Sequence, residues 1–281
     1  MIAGLFQKLY QVLNEAVFPP KCLVCKTFFH APVPVAETVS RPAGGDPPAG
    51  LPFAQSRRGG LLSRYLCAAC IRGLVAVESP ICACCGLPFN SRQGDDHLCG
   101  ECLDLPKNFR IARAALVYEP ILTSIIHRFK YHGRIQLAEP LAELLAAAFE
   151  RYWGPDGIDL IIPVPLHAKR LRQRGFNQVY LMVRNWIAAS GQNGFGLRLQ
   201  IERDVLARTA FTKPQSALGR TQRAFNIKNA FTVIDSDKII GKRILLIDDV
   251  YTTGATVNEC ARILLKYGAE HVDVLTLARA V

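Results

Sequence analysis

The sequence predicts an α/β protein, a parallel sheet with helices on both faces, preceded by a small cysteine-rich module. Three observations lead there. From Ile111 onward, short apolar β-rich runs alternate with amphipathic helical stretches. Eight of the ten cysteines stand in CxxC pairs in the first third of the chain. Near the C-terminus an apolar run, Ile244-Leu245-Leu246-Ile247, ends in two acids and a loop of small and hydroxylated residues.

At 281 residues the chain is long enough for one full core and a smaller module. Hydrophobic residues make up 50% and charged residues 20%, a globular balance. The net charge of +11 is uneven: residues 1–110 hold 11 Lys/Arg against 8 Asp/Glu, and residues 111–281 hold 23 against 15. The second part is therefore the one expected to meet phosphates or nucleic acid. No apolar run approaches the roughly 18 residues of a membrane span. Met1–Phe18 is apolar but broken by Gln7, Lys8, Gln11, Asn14 and Glu15, unlike a secretory leader. Leu5, Leu9, Val12, Ala16 and Val17 predict an amphipathic helix within residues 1–20, packed on the domain behind it or docked reversibly on a membrane or partner. With no export signal and cysteines at metal-ligand spacing, a thiol-reduced cytoplasmic protein is expected, the inner membrane face being the alternative.

Residues 21–108 are expected to form two zinc ribbons. The pairs are Cys22/Cys25, Cys67/Cys70, Cys82/Cys85 and Cys99/Cys102. A CxxC turn aims two thiolates at one centre, and two such turns close a tetrahedral S4 zinc site. Sequential pairing, first with second and third with fourth, is preferred to interleaving. Cys84 could displace one ligand, His30 and His97 could substitute, and redox or catalytic thiols are the alternative chemistry. Residues 31–60, with six Pro and five Gly, predict a disordered insertion. What remains holds too few apolar residues for an independent core, so zinc would supply the folding energy. Chelation is accordingly expected to unfold the first third and spare the rest. Cys260, alone, is expected to be a small core residue.

The second domain, 109–281, is read in order. Ala112–Tyr118 predicts a strand, and Ile121–Lys130 and Leu137–Tyr152 predict helices. Asp159–Val164 is a strand, Asn177–Ala189 a helix, Arg243–Ile247 a buried strand, Thr256–Lys266 a helix and Val272–Leu277 a last strand. Ligands of such sheets sit at the carboxyl ends of the strands. There Asp248 and Asp249 are delivered, followed by a tight loop through Val250, Tyr251, Thr252, Thr253, Gly254, Ala255 and Thr256. Backbone N–H groups entering a helix converge on an anion, the threonine hydroxyls add donors, and Gly254 permits close approach. The acids suit a sugar further along, accepting ribose hydroxyl protons and helping to hold Mg2+. An ordinary strand–turn–helix is the alternative, and the absence of GxxxxGK[ST] excludes a Walker-type loop. Lys130, His167, Lys169, Arg170, Arg174 and Arg208 are the cations expected to meet pyrophosphate, with Arg172 beside them and a solvated basic face as the bland alternative. Arg208, Lys213, Arg220 and Arg223, interleaved with Thr209, Thr212, Gln215 and Gln222, predict a mobile hood.

The loop resembles the diphosphoribosyl-binding motif of type I phosphoribosyltransferases. One departure is Thr252, where purine-salvage members carry an acid, which makes a 6-oxopurine acceptor less expected. The segments Phe129-Lys130-Tyr131-His132-Gly133, Pro163-Val164-Pro165-Leu166-His167 to Arg174-Gly175-Phe176-Asn177-Gln178, and Arg208-Thr209 through Gln215 to Arg223 and Asn226 extend the likeness. With the CxxC pairs, they resemble the ComF family from Cys22 to the C-terminus, apart from the insertion. The resemblance implies a type I phosphoribosyltransferase sheet behind a double zinc ribbon, about two structural Zn2+, and phosphoribosyl pyrophosphate with Mg2+ as ligand. It also implies a link to natural competence, with single-stranded DNA or competence proteins as partners. Two functions stay open: a phosphoribosyltransferase with Asp248 and Asp249 as catalytic residues, or a non-catalytic protein that senses a phosphoribosyl ligand or holds single-stranded DNA. Tyr131 and Phe176 are too few aromatics to establish base stacking.

Overall fold

The computed structural model describes residues 19–30, 60–91, 93–153, 157–186, 199–210 and 227–281. The expected N-terminal helix, nearly all of the insertion, and the hood beyond Ala210 lie outside these residues. The chain divides into two compact units, 1–75 and 76–281.

In the second unit, strand β6 (Arg243–Tyr251) runs through the middle of a five-stranded sheet. The order is β1 (Ala112–Val117), β7 (His271–Arg279), β6, β2 (Leu160–Pro163) and β3 (Gln200–Ile201), and every pairing is parallel. Ile244 to Ile247 are completely buried, as a central strand covered on both faces requires. Ile244 and Leu246 share a cluster with Cys260, Ala261 and Leu264 of helix α7 (Ala255–Lys266). Leu245 and Ile247 alternate to the other layer, where α4 (Ala138–Tyr152) packs on β1 and β7 and α6 (Gln178–Val183) on β2 and β6. Helices α3 (Pro120–Tyr131) and α5 (Ala168–Arg174) follow β1 and β2. A two-stranded antiparallel ribbon, β4 (Leu206–Arg208) with β5 (Phe231–Val233), packs beside α7.

Strand β6 is longer than its apolar run. Val250 pairs with Ala278 and Tyr251 with Arg279, so the acids and the first two loop residues still belong to the ladder. Helix α6 spans Gln178–Val183, and the end of the predicted helix, beyond Trp186, lies outside the described residues.

The cysteine segments fold as two copies of one device. In the first unit Cys22 N–H donates to Thr27 O (2.9 Å), Lys26 takes a positive φ of 67°, and Cys67 caps α1 (Ala68–Arg72). In the second, Cys82 N–H donates to Leu87 O (2.8 Å), Gly86 takes φ 65°, and Cys99 caps α2 (Gly100–Asp104). The second copy belongs to the sheet unit: Cys82, Cys85, Cys99 and Cys102 lie in one apolar cluster with Leu160, Ile162, Tyr251 and Val274. It also covers the β1 edge. Ala76 bridges Leu116, Val77 N–H donates to Ala115 O (3.4 Å), and Ala112 N–H donates to Cys84 O (2.7 Å). The division of the chain thus falls between the two ribbons, whereas composition places a boundary after both.

Candidate functional site

A cavity of about 900 Å³ opens at the carboxyl ends of β1, β2 and β6. Tyr118, Val164–Leu166, Asp248–Thr252 and Gly254–Val257 form its floor and rim, with Lys130 and Tyr131 of α3 and Arg170 and Arg174 of α5 beside them.

The loop between β6 and α7 is built around Tyr251. That ring is buried, meets Phe109 edge-on at 6.2 Å and carries the Arg279 guanidinium at 4.3 Å. Gly254 crosses it at φ 73°, and a Cβ there would run into the Tyr251 ring. Glycine is required twice over, by backbone conformation and by contact. Helix α7 starts at the next residue, Ala255, whose N–H donates to Thr253 Oγ1 (3.4 Å). The N–H groups of a helix's first turn point away from their own helix and, with the dipole, make the start of α7 suited to cradle an anion.

The acids in front of the cradle are not equivalent. Asp249 Oδ2 accepts from Lys130 Nζ (2.7 Å) and Gln178 Nε2 (2.8 Å). Burial opposes its charge, but Lys130 and these hydrogen bonds hold it below the usual carboxylate range. Burial and the Asp249 charge instead push Asp248 up to about 7, against the Asp249 N–H that donates to its Oδ1 (2.8 Å). Because the folded pKa lies above the 3.8 of a free side chain, the folded state holds a proton that the unfolded chain releases. Stability is lost as pH rises from about 4 to about 7, and the penalty is constant above. Asp248→Asn should therefore raise the melting temperature over wild type by an amount that grows from pH 5 to pH 7 and then levels off. A gain independent of pH would show Asp248 ionised throughout.

Two caps place the polar groups around the acids. Gly175, left-handed at φ 79°, ends α5, and Asn177 Oδ1 accepts from Val179 N–H (2.9 Å) and Tyr180 N–H (3.3 Å) to start α6. Gln178 thereby becomes the first residue of α6, buried and aimed at Asp249. Helix α5 divides its cations: Arg170 and Arg174, one turn apart, line the cavity, whereas Lys169 and Arg172 are exposed. Arg174 Nη2 donates to Tyr131 Oη (3.0 Å) and stacks over that ring. Arg208 reaches the cavity from β4, over the Phe231 ring.

The structure thus brings Asp248, Asp249, Val250, Tyr251, Thr252, Gly254, Ala255, Thr256, Lys130, Arg170, Arg174 and Arg208 to one cavity. His167, Lys169 and Thr253 do not line it. His167 Nδ1 instead accepts from Lys169 N–H (3.1 Å), capping α5. Gln178 and Arg279 are site groups that sequence reasoning missed. The position of Gln178 after an N-cap asparagine was the one local sign of the first, and Arg279 had none.

The cysteines form two sets, Cys22/Cys25/Cys67/Cys70 and Cys82/Cys85/Cys99/Cys102, the sulfurs of each within 4.8 Å of one another. Cys25 and Cys67 Sγ are 3.6 Å apart, and Cys85 and Cys99 Sγ 3.8 Å. Zn–S bonds of about 2.3 Å hold tetrahedral sulfurs about 3.8 Å apart, so the donor geometry fits zinc. Cys85 and Cys99 N–H both point at Cys82 Sγ (3.4 Å each). Burial disfavours the Cys82 thiolate, but these donors bring its pKa down to about 7. Cys84 and His97 stand outside the sets: Cys84 contributes its carbonyl to β1, and His97 stacks on Phe89 at 4.0 Å.

Residues 58–103 match the double zinc ribbon domain and residues 197–280 the phosphoribosyl transferase domain. The DNA utilization protein YhgH of Shigella flexneri is 34% identical over 221 residues, spanning 76% of this chain and 90% of that protein. The chain belongs to the ComF family. Other relatives of this ComF protein are competence protein F of Haemophilus influenzae, 31% identical over 76% of the chain and 90% of the relative, and competence protein ComFC of Bacillus subtilis, 28% identical over 76% and 84%. Its fold is the phosphoribosyltransferase-like parallel sheet with a double zinc ribbon. Among the described residues no helix is long and apolar enough to cross a membrane.

Proposed function

We propose that this ComF protein binds a 5-phosphoribosyl compound, with phosphoribosyl pyrophosphate the first candidate, and serves the uptake or use of external DNA. Each cysteine set holds a structural zinc. One observation carries the ligand assignment: the Tyr251-supported cradle at the start of α7 faces an acid pair inside a single cavity that also contains Arg170 and Arg174. The cradle takes the 5-phosphate. Ionised Asp249 accepts from the ribose hydroxyls, and Asp248, its pKa raised to about 7 by burial and the Asp249 charge, accepts from or donates to them. The two arginines, one turn apart, take the pyrophosphate beyond Val164–Leu166. If turnover occurs, the C1–oxygen bond to pyrophosphate breaks with its electron pair leaving on pyrophosphate, a nucleophilic acceptor bonds to C1, the arginines stabilise the departing charge, and the carboxylate of Asp249 faces the cationic sugar. Thr252 offers no acid to an oxopurine. The acid pair is a poor resident Mg2+ site, because Lys130 already neutralises one carboxylate and burial disfavours the charge of the other. Mg2+ enters with the pyrophosphate of the ligand.

A second surface suits DNA. Lys169 and Arg172 project from the outer side of α5, which makes binding of a polyanion there independent of the cavity. Titration with phosphoribosyl pyrophosphate and with single-stranded DNA separates the two. Gly254→Ala should weaken the phosphoribosyl ligand by at least about a hundredfold, through strain and the Tyr251 clash, and leave DNA affinity unchanged. Lys169→Ala with Arg172→Ala should do the reverse, flattening the salt dependence by about one phosphate contact per side chain. Undiminished ligand binding in Gly254→Ala would remove the cradle from the site.

A further inference from the structure

Arg279, the last residue of β7, lies between the second cysteine set and the phosphate cradle. It is 5% exposed, and its guanidinium reaches both sides. Towards the cysteines, Nε donates to Cys85 O (3.3 Å) and Nη2 lies 3.7 Å from Cys85 Sγ. Towards the cradle, Nη1 donates to Thr252 O (3.0 Å) and Tyr251 O (3.5 Å), and also to Ala280 O. The guanidinium face covers the Tyr251 ring that supports Gly254. A buried guanidinium has no water to fall back on, so its fork is fixed by these acceptors together.

We propose that Arg279 is a positioning residue that makes the shape of the phosphate cradle depend on the assembled, metal-loaded second cysteine set. This rests on the phosphoribosyl reading of the cradle. Cys85 joins the two sides, since it supplies a sulfur to the second cysteine set, and both its sulfur and its carbonyl face Arg279. The knuckle hydrogen bonds Cys82 N–H to Leu87 O (2.8 Å) and Gly86 N–H to Cys82 O (3.0 Å) fix that carbonyl. A metal-bound thiolate adds negative charge beside the guanidinium, as groups outside a metal's ligand shell commonly exploit. Without the metal, Cys85 is released, the fork loses its anchor on that side, and Thr252 O and the Tyr251 ring lose a fixed partner. The second ribbon is then part of the apparatus that shapes the anion site.

The test uses the full chain and four proteins: wild type, Arg279→Lys, Cys99→Ser and Cys67→Ser. Each is measured for zinc content, for ribose 5-phosphate affinity, and for amide hydrogen exchange across residues 250–257. Arg279→Lys should keep the zinc of both sets yet bind ribose 5-phosphate about tenfold more weakly and exchange faster, because an ammonium cannot bridge both sides. Cys99→Ser should lose the second zinc with the same two effects, and Cys67→Ser should lose the first zinc with neither. The double variant Arg279→Lys/Cys99→Ser should be no weaker than Cys99→Ser, as members of one chain of contacts are non-additive. Unchanged affinity and exchange in Arg279→Lys would overturn the proposal, as would equal effects from Cys67→Ser or additive losses in the double variant. Should Cys99→Ser fail to fold, Arg279→Lys alone decides. Failure of wild type to bind ribose 5-phosphate would refute the phosphoribosyl reading, and the exchange data would still decide the coupling.

Discussion

Asp249→Asn is expected to destabilise the sheet unit by about 3 kcal/mol, because removing one partner of a buried ion pair strands the other charge. The Lys130 and Asp249 side chains are only 18% and 11% exposed, and their atoms meet at 2.7 Å. Losing the carboxylate leaves the ammonium facing the cavity without its counter-ion and deprives Gln178 of a charged acceptor. Lys130→Met in the same chain should recover most of the loss, since an apolar residue of similar length needs no partner. Urea denaturation of the two single variants and the double variant at one pH gives the coupling directly. A single-variant cost below about 1 kcal/mol would mean that the pair behaves as a solvated surface contact. Phosphoribosyl pyrophosphate affinity should fall in Asp249→Asn and stay low in the double variant, since restoring stability does not restore the carboxylate proposed to meet the ribose.

Stripping zinc from the second cysteine set should destabilise far more than a ribbon. The sequence alone points to loss of the first third with the remainder spared. The structure reverses that expectation for the second set, whose four cysteines share a core with Leu160, Ile162 and Val274 of the sheet. Structural zinc contributes on the order of 10 kcal/mol, comparable with the entire stability of an ordinary domain. Chelation should lower the melting temperature of the sheet unit by more than about 10 °C. Both tryptophans, Trp153 and Trp186, are buried in that unit, so their fluorescence reports it without interference from the first ribbon. An unshifted tryptophan transition after complete zinc removal would show that the sheet stands alone.

The parts legible in the sequence are those fixed by neighbours along the chain. The β6–loop–α7 segment announces itself through an apolar run, two acids, a glycine and a helix, and the CxxC spacing places each sulfur within a single turn. What escaped was fixed from far away. Strand β6 runs on to Tyr251 because β7 supplies partners at Ala278 and Arg279, and no local pattern records that. Lys130 looks like one more phosphate cation until α3 delivers it to Asp249, 119 positions later in the chain. His167 follows a stiff loop like a ligand-binding residue, yet its ring accepts from the Lys169 amide at the start of the helix it caps. Arg279 lies beyond the predicted end of the last strand at Leu277, yet it is among the most buried of the described charged residues.

The seating of the second ribbon on β1 has a consequence for how the chain is made. Among the described residues, strand β1 pairs inside the sheet only with β7, so Ala112 must wait for Val274. At ordinary rates of protein synthesis that interval is on the order of ten seconds or more. Throughout it, a bare apolar strand would present unpaired backbone groups to any neighbour, the usual start of aggregation. The segment from Ala76 to Cys84 leaves the ribosome before β1, and its partners Ala112, Ala115 and Leu116 follow within some forty residues. The ribbon therefore supplies a local, early-forming companion for one side of the strand that the sheet completes last. Zinc supply during translation, rather than after it, should then govern how much of the protein emerges soluble.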